Sequence, residues 1–443
     1  MSMPAIAAAS ATPSTSIAGS REYALDSARG ALMSLGVLLH VANIYEVAAT
    51  WEISDPQRSG VFDFISWLIH EFRMESFYWI SGYFCAMTFW KRGVGYMLQR
   101  RMFRVGVPLV TTWLTLNVAQ EVLIARWRGL DPINVLSEGV GPMHLWFLLD
   151  LLIYLLAGAL LLSKGSALLD RASLSWKSGS LSLLFALTAV AYLLSLLVRG
   201  SGMAYIKPFG IIEPLRLASY FPYFAAGMLM YRADVIRRAF FGLNAPAMLA
   251  VAVPLSMAAS YLHAGSSRAA IESGALVEIF AKWMLVSGVI GAFQRWASRP
   301  GRLGNLLADA SYTVYLFHHS VVVALGILVM PLAVGPYLKF VGVTVGTLVV
   351  TAAIHQYVIR PTPLLRLLYN GRPLSEAEIV SVLRNWTGGD LGSMALCVGV
   401  LVHALATQPA LQQRLRLGLP DAELDAVIDE ILRIDDPFVS NRR

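Results

Sequence analysis

Charged side chains are scarce in this sequence of 443 residues: only 14% of positions are Asp, Glu, Lys or Arg, whereas soluble proteins usually carry about 25%. Hydrophobic residues make up 56% of the chain, and its mean hydropathy is +0.60. So little polar surface cannot cover a water-soluble particle of this size, and the composition also excludes intrinsic disorder. The sequence therefore predicts an integral membrane protein, with the lipid bilayer as a partner.

Cysteine is also scarce, because the chain has only Cys85 and Cys397, and both lie in apolar runs. Two such residues cannot supply a disulfide framework or a zinc site, so no metal site is expected. The formal net charge of +7 does not indicate nucleic-acid binding, because the basic residues are spread among short connections between apolar runs. No nucleic-acid partner is predicted, and membrane topology accounts for the charge.

Long apolar runs, in contrast, fill most of the chain. A helix of ~20 residues crosses the ~30 Å hydrocarbon core of a bilayer. We find ten suitable segments, at residues 25–49, 70–90, 105–125, 144–163, 181–198, 215–231, 244–262, 276–297, 311–330 and 337–358. Helix is expected for each, because lipid offers no partners for open backbone groups. The predicted fold class is all-α: a polytopic membrane protein with about ten transmembrane helices and a short cytoplasmic helical tail.

The basic residues predict the orientation, because Lys and Arg concentrate in cytoplasmic connections. With ten spans, one set of connections holds seventeen basic residues. The other set holds six, which are Arg58, Arg126, Arg128, Arg199, Lys207 and Arg268. This asymmetry predicts that both termini lie in the cytoplasm.

Composition divides the chain into three parts. Residues 1–20 are mainly Ala, Ser, Thr and Pro, without a basic start or a continuous apolar stretch, so a disordered leader rather than a signal peptide is predicted. Residues 21–372 form the membrane domain. Residues 373–443 form a second module, which is amphipathic at first and acidic towards its end. Within it, residues 391–407 are expected to form a buried soluble helix rather than an eleventh span.

The presence of two ionisable residues in the first span requires an explanation. Insertion of a charged group into a membrane helix costs about 2.5–3.5 kcal/mol of free energy on insertion scales. Arg29 and His40 are eleven residues apart. At ~100° per residue, this spacing brings both side chains to one face of the helix, roughly 16 Å apart along its axis. One interpretation is structural: Arg29 snorkels to the inner headgroups and His40 hydrogen-bonds to another helix. The other is that the two residues form part of a functional site.

Further polar groups cluster towards the predicted outer half of the membrane. Glu71 and Arg73 open the second span, and His144 and Trp146 open the fourth. Structural roles are available for them, since Trp146 suits an interfacial anchor and Glu71 suits an ion pair with Arg73. The ninth span carries His318 next to a second histidine, and a helix–helix hydrogen bond is the structural alternative there.

Five short patterns follow one another along the membrane domain. They are Leu25-Asp26-x-x-Arg29-Gly30 with His40; Phe72-Arg73-Met74-x-x-Phe77 with Ser81-Gly82-Tyr83-Phe84; Arg100-Arg101-x-x-Arg104 with Pro108; His144-Leu145-Trp146-Phe147-Leu148; and Ser311-Tyr312-x-x-Tyr315-x-x-His318. In this order and topological placement, they resemble the integral-membrane acyltransferase 3 family over residues 21–372. Within that family, residues 70–74 and 368–371 are most similar to a branch that acts in glucan biosynthesis.

The resemblance implies an enzyme of the bacterial inner membrane that transfers an acyl group, expected to be succinyl. The donor would be a cytoplasmic coenzyme A thioester, and the acceptor would be a hydroxyl of a periplasmic glucan or another envelope carbohydrate. His40 would be the catalytic base, and Arg29 would hold a phosphate of coenzyme A or the succinyl carboxylate. The residues that would bind substrate are Arg73, Glu71, His144, Trp146 and His318, and of these Arg73, His144 and Trp146 would line the acceptor side. No bound cofactor is expected, since acyl-CoA is a substrate.

A different function remains as an alternative. A flippase or transporter for a polysaccharide or a lipid-linked sugar, without acyl transfer, would also bury Arg and His among ten helices. Such proteins favour discontinuous helices and an internal repeat, and the sequence shows neither of them clearly.

The tail resembles another family. Its patterns are similar to a fragment of a bacterial haem-thiolate monooxygenase of the cytochrome type: Leu374-Ser375-Glu376-x-Glu378-Ile379, Asn385-Trp386-Thr387-Gly388-Gly389-Asp390, and Glu430-Ile431-Leu432-Arg433 with Pro437. In that family the haem ligand is a Cys downstream of the Glu-x-x-Arg pattern, and no Cys follows Arg433 in this sequence. Cys397 lies in another segment, so no haem is expected.

Overall fold

The computed structural model describes residues 22–175, 179–297, 299 and 301–434, and within these ranges the chain forms helices and no strands. The helices are α1 (Tyr23–Ile44), α2 (Gly60–His70), α3 (Arg73–Thr112), α4 (Val118–Trp127), α5 (Pro132–Ser137), α6 (Trp146–Ser175), α7 (Ser180–Gly200), α8 (Pro214–Arg232), α9 (Asp234–Phe240), α10 (Ala245–His263), α11 (Arg268–Trp296), α12 (Arg302–Val329), α13 (Pro336–Ala353), α14 (Pro363–Asn370), α15 (Glu376–Thr407), α16 (Pro409–Arg416) and α17 (Asp421–Ile434). The predicted all-α fold is confirmed. The predicted leader, residues 1–20, lies outside the described residues.

Eight stretches of the described chain are long and apolar enough to cross a membrane: Tyr23–Ile44, Gly60–Trp127, Met143–Gly165, Ser180–Gly200, Ala245–His263, Arg268–Trp296, Asp309–Val329 and Pro336–Ile359. They support a multi-pass membrane protein, but the predicted count of ten is not confirmed. Two predicted spans, 70–90 and 105–125, fall within Gly60–Trp127, and the segment at 215–231 corresponds to α8, which is not among the eight. Inside Gly60–Trp127, α3 is interrupted at Gly93, whose φ of +81° is readily adopted only by glycine.

The chain divides into two compact units, one that ends at Gly371, which we call the membrane unit, and a second that begins at Arg372. In the second unit, α15 begins with a capping box. The Ser375 hydroxyl accepts a hydrogen bond from the backbone N–H of Glu378, and the Glu378 carboxylate accepts one from the N–H of Ser375. An apolar stretch within α15, Leu396–Thr407, is shorter than a membrane span.

Helices α3 and α8 approach each other closely through two glycines. A Cβ atom at Gly82 of α3 would collide with the backbone oxygen of Phe224, and one at Gly227 of α8 would collide with the backbone oxygen of Trp79. Small residues at such reciprocal positions allow two membrane helices to pack backbone to backbone. This contact fixes the position of α3, which begins at Arg73.

Helix α1 lies in the interior of the membrane unit. It packs against α12 and also contacts α2, α3, α11 and α13. Twelve of its 22 residues are buried. Neighbours on several sides of a helix leave little of it for lipid. His40, in the last third of α1, is therefore placed among other helices of the unit rather than at the lipid boundary.

The connection between α1 and α2, residues 45–59, has no regular secondary structure but is held at several points. The Asp63 carboxylate of α2 accepts hydrogen bonds from two backbone N–H groups of the connection, at 3.0 and 2.8 Å. Further along, the buried carboxylate of Asp55 pairs with Nζ of Lys339 on α13 at 2.8 Å. The connection therefore has a defined position at the carboxyl end of α1.

Candidate active site

Four histidines from three parts of the fold meet inside the membrane unit. His40 lies on α1, His144 lies in the 3₁₀ turn before α6, and His318 and His319 lie on α12. Between ring centroids, His40 is 5.2 Å from His318 and 4.8 Å from His319, and His144 is 5.3 and 4.7 Å from the same two rings. The hydroxyl of Tyr315 donates a hydrogen bond to the backbone oxygen of His144 at 2.8 Å, which ties the turn to α12. We call these four histidines the histidine cluster.

A small cavity of about 60 Å³ lies beside the cluster. Its lining includes His70, Tyr315 and five of the seven residues that the sequence predicts as functional, which are His40, Arg73, His144, Trp146 and His318. One water molecule occupies ~30 Å³ in the liquid, so a space of this size suits the reacting groups rather than a whole substrate. We call it the histidine cavity.

Hydrogen bonds indicate which nitrogen of two of the histidines carries the proton. Nδ1 of His318 lies 2.6 Å from the backbone oxygen of Tyr315. Because a carbonyl oxygen can only accept, Nδ1 must be the donor in this hydrogen bond. Nδ1 of His319 donates to Oε1 of Gln120 at 2.8 Å. A neutral ring in this tautomer has its lone pair on Nε2, and Nε2 of His318 is buried with no hydrogen-bond partner among the described residues. Such a nitrogen can take up a proton, as a general base must.

Arg73 brings a positive charge to the same cavity from the start of α3. A Cβ atom at Gly36 of α1 would collide with Nη1 of Arg73 and would lie 3.7 Å from Nε2 of His318. Gly36 therefore leaves the space in which the guanidinium lies beside His318. Nε of Arg73 is buried and has no hydrogen-bond partner in the described part of the chain.

Trp51 covers the histidine cluster from the connection between α1 and α2. Its ring stacks on His40, with the centroids 5.5 Å apart and the planes at 20°, and it meets His319 edge-on at 5.0 Å. Four residues later in the same connection, Asp55 is paired with Lys339. That buried pair fixes the chain that carries Trp51.

Two of the seven predicted residues do not line the histidine cavity. Arg29 lies about three turns before the cluster on α1, pairs with Asp26 at 3.2 Å, and lies 5.9 Å from the ring centroid of Phe84. Glu71 is buried and interacts electrostatically with Lys282 of α11. The structure thus separates Arg29 and Glu71 from the five residues that it brings together.

Arg101 lies close enough to Arg29 for their charges to interact. Arg101 donates a hydrogen bond to the backbone oxygen of Phe84 at 3.0 Å, and its charge interacts with those of Arg29, Arg100 and Arg104. Several guanidinium groups in one place suit phosphate, which they bind through paired N–H donors. This group, which we call the arginine group, is a candidate for the phosphates of a donor.

The sequence analysis considered the two adjacent histidines of the ninth span but assigned substrate binding only to His318, and it did not consider Trp51. A signal for His319 was present, because it follows His318 and adjacent helix residues are ~100° apart, so both can face one cluster. No comparable signal exists for Trp51, since it lies in an irregular connection whose path depends on the distant Lys339.

The model of a family described as an acyltransferase domain, of the acyltransferase 3 type, matches residues 22–356. Among curated proteins, the chain is similar to glucans biosynthesis protein C of Escherichia coli strain K12, with 26% identity over 379 residues that cover 81% of this chain and 96% of the relative. The proteins of the same name from Escherichia coli O81 (strain ED1a) and O157:H7 (strain EC4115) match with the same identity and coverage. No solved structure matches the chain.

Proposed function

The chain belongs to the acyltransferase 3 family, and from this membership we propose that it transfers a succinyl group from a cytoplasmic coenzyme A thioester to a hydroxyl of a periplasmic glucan. The family makes the chain an acyltransferase, which removes the alternative of a transporter without acyl transfer. The name of the relatives, glucans biosynthesis protein C, supports glucan as the acceptor. The observation that carries the proposal is the histidine cavity, where imidazole nitrogens that have no hydrogen-bond partner among the described residues lie beside a buried guanidinium.

In the proposed reaction, a histidine removes the proton of the glucan hydroxyl while the hydroxyl oxygen attacks the thioester carbonyl carbon. A carbon–oxygen bond forms, the carbonyl carbon becomes tetrahedral, and the carbonyl oxygen becomes an oxyanion. The carbon–sulfur bond then breaks, and the proton held by the imidazole passes to the departing thiolate, so the products are an ester and free coenzyme A. His40 is the base predicted from the sequence, and Nε2 of His318 is a second proton acceptor in the same cavity. General-base catalysis typically contributes about 10²–10⁴-fold in rate.

Arg73 is proposed to stabilise the oxyanion. Its guanidinium lies beside His318, and Nε has no partner among the described residues. A fixed positive charge in a site from which water is largely excluded stabilises developing negative charge more strongly than in bulk water. Trp146 lines the same cavity and offers a flat apolar face for a sugar ring. Glu71 stays a predicted substrate-binding residue, since it does not line this cavity.

Arg29 is proposed to bind the phosphates of the donor rather than its reacting thioester. It lies about three turns from His40 on α1, and its charge interacts with that of Arg101, which also interacts with Arg100 and Arg104. A donor with its phosphates at this arginine group would reach towards the histidine cavity with its thioester end. Acyl-CoA is then a substrate, and no cofactor is proposed to stay bound.

We also propose that the protein lies in the bacterial inner membrane with both termini in the cytoplasm. The seventeen-to-six distribution of basic residues between the two sets of connections supports this orientation. It places the start of α1, with Arg29, towards the cytoplasmic donor, and the end of α1, with His40, towards the periplasmic acceptor.

The second unit is proposed to be a fragment of a haem-thiolate monooxygenase, on its sequence patterns alone. The family match ends at residue 356 and does not bear on this unit. Cys397 lies within α15 and is not the downstream Cys of that family. We therefore expect the absorption spectrum of the purified protein to have no Soret band. A Soret band that shifts with carbon monoxide would contradict this expectation.

Mass spectrometry of periplasmic glucans tests the proposed function. Glucans from cells that express the gene should carry the mass increment of succinyl esters, and glucans from cells without it should not. The His40→Ala variant, expressed at the same level, is the matched control for expression of the membrane protein. Glucans identical in all three samples would contradict the proposal, and an acetyl increment would correct the identity of the acyl group.

A further inference from the structure

A second cavity of the membrane unit has a volume of about 540 Å³. Its walls come from the end of α7, the connection that follows α7, the start of α8, and α11, together with Glu75 of α3. The volume is within the range of about 300–1,000 Å³ that is common for ligand sites. We call this space the polar vestibule.

Charged side chains line the vestibule, but each of its four cations has a carboxylate partner. The pairs are Arg199 with Glu272 at 3.6 Å, Lys207 with Glu213 at 2.7 Å, Arg216 with Asp150 at 2.8 Å, and Lys282 with Glu278 at 2.7 Å. Glu75 adds a further carboxylate. A surface with this balance does not concentrate anions, which argues against the phosphates of the donor. It suits an uncharged ligand with many hydrogen-bonding groups.

Glu75 supplies an oxygen that has no hydrogen-bond partner in the described part of the chain. Its side chain is 2% exposed, and Oε1 lies 3.3 Å from Nζ of Lys282. Oε2 is buried and has no hydrogen-bond partner in the ranges described. Burial of a carboxylate oxygen without a donor is costly, and a ligand hydroxyl is a donor that would satisfy it. The ligand that fits this position therefore carries hydroxyl groups.

Side chains that line the vestibule pack against Trp146, which lines the histidine cavity. Trp146 lines the histidine cavity, whereas Tyr220 and Arg216, which pack against its ring, line the vestibule. The rings of Trp146 and Tyr220 stack with centroids 6.1 Å apart, and the Arg216 guanidinium lies 4.7 Å from the Trp146 centroid. The vestibule is thus connected to the histidine cavity through the packed pair of Tyr220 and Trp146.

We propose that the polar vestibule binds a neutral carbohydrate chain, and that Trp146 and Tyr220 guide one of its hydroxyls into the histidine cavity. The inference rests on the proposed function, because it gives the acceptor a place next to the predicted base. A sugar offers hydroxyls to Glu75 and the other carboxylates, and an apolar ring face to the aromatic side chains. In this arrangement, the polar vestibule holds the carbohydrate chain and the histidine cavity holds the reacting hydroxyl.

Filling the vestibule tests the proposal in the purified full-length protein. Ala275→Trp adds a large ring to the lining, whereas Leu276→Trp adds the same ring at the next residue, which is exposed and outside the lining. With a linear β-glucan oligosaccharide as acceptor, Ala275→Trp should raise the acceptor KM about tenfold or more, which corresponds to about 1.4 kcal/mol. The KM for succinyl-CoA and the kinetics of Leu276→Trp should stay near those of the wild type. An unchanged acceptor KM in folded Ala275→Trp would overturn the proposal.

A second measurement does not depend on acyl transfer or on a bulky substitution. Ala204→Cys places a thiol in the vestibule, and Ser266→Cys places one on the exposed connection between α10 and α11. Both are made with Cys397→Ser, and the remaining Cys85 is buried. The oligosaccharide should slow maleimide labelling of Ala204→Cys several-fold and leave that of Ser266→Cys unchanged. Equal labelling rates of Ala204→Cys with and without the oligosaccharide would overturn the proposal.

The two measurements separate this inference from the proposed function. A wild-type protein that acylates no glucan would contradict the proposed function, while protection of the Ala204→Cys thiol would still support carbohydrate binding in the vestibule. Normal acylation by Ala275→Trp, together with no protection of that thiol, would keep the proposed function and reject the vestibule.

Discussion

In the histidine cluster, the proposed proton transfer depends on single nitrogen atoms rather than on the number of histidines. In His318 and His319, Nδ1 is engaged in a hydrogen bond, which leaves Nε2 to take up a proton. In His40, Nδ1 is buried without a hydrogen-bond partner among the described residues, and the ring stacks against Trp51. A ring held by stacking rather than by a hydrogen bond at Nδ1 can present either nitrogen to a substrate.

His40→Ala should lower kcat for acyl transfer by about 10²–10⁴-fold, because a methyl group cannot accept the proton of the acceptor hydroxyl. The yield of folded protein, measured by size-exclusion chromatography in detergent, should change little. His403→Ala, on an exposed part of α15, is the control and should match the wild type. Near-normal acyl transfer by His40→Ala would show that His40 is not the base and has a structural role instead.

Gly36→Ala tests the position of Arg73. The added Cβ would collide with the guanidinium, so Arg73 must move away from His318, and kcat should fall by about 10²-fold, as when an oxyanion donor is removed. Gly342→Ala on α13 is the matched control, because a Cβ there meets no atom within 4 Å. It should keep full activity, and its melting temperature should not fall, since Ala favours helix over Gly by about 1 kcal/mol. Full activity of Gly36→Ala would show that the observed position of Arg73 is not required.

Between elements, α13 and the connection from α1 to α2 together support Trp51. Nζ of Lys339 pairs with Asp55 and also donates a hydrogen bond to the backbone oxygen of Met330, both at 2.8 Å. Both charged side chains are buried. Removal of one partner from a buried ion pair is costly because the other charge is left without compensation. The ion pair therefore connects the stability of the fold to the position of the aromatic ring over His40.

Lys339→Met should destabilise the membrane unit by about 3–5 kcal/mol, because Asp55 would stay buried without its partner. The double variant Asp55→Leu/Lys339→Met removes both charges and should recover a large part of the loss in a thermal-denaturation assay. Tyr337→Phe, which removes only an exposed hydroxyl contact with Ser59, is the control and should cost no more than about 1.5 kcal/mol. If Lys339→Met and the double variant were equally stable, the buried pair would not be the cause.

The site residues that can be predicted from the sequence are those whose type is unusual for the segment in which they lie. His40, Arg73 and His318 stand out because ionisable groups are rare in apolar runs, and the structure places all three at the histidine cavity. Trp51 is not unusual for its position, since an aromatic residue beside a membrane helix is common. Its contact with His40 depends on an ion pair between residues 284 positions apart, and a single sequence has no pattern that reveals such a pairing.

Helix α8 shows why the number of spans was harder to predict than their type. Arg216 and Tyr220 of this helix line the polar vestibule, and such side chains lower its hydropathy whether or not the helix lies in the membrane. Hydropathy does not distinguish a polar residue that faces a cavity from one that faces water. Gly93 adds a second difficulty, because one residue with positive φ interrupts a helical stretch that reads as continuous.

Across the whole molecule, the boundary of the membrane unit lies beyond the end of the family match at residue 356. Helix α14 is tied to this unit by its last residues. The hydroxyl of Thr313 donates to Oδ1 of Asn370 at 3.2 Å, and the hydroxyls of Thr115 and Tyr369 lie 3.1 Å apart. At Gly371, with φ of +55°, a Cβ would collide with the backbone of Arg104. The segment from residue 357 to Gly371 is therefore part of the packed structure.

Truncation after Gly371 should leave acyl transfer close to that of the full chain, because none of the residues of the histidine cavity, the arginine group or the vestibule follows Gly371. Truncation after Thr362 removes α14 with its contacts to α3 and α12, and should lower both the yield of folded protein and the transfer per cell. Comparing the two truncations by detergent chromatography and by glucan mass spectrometry separates the second unit from α14. A protein truncated after Gly371 that inserted normally but had lost transfer would show that the second unit takes part in the reaction.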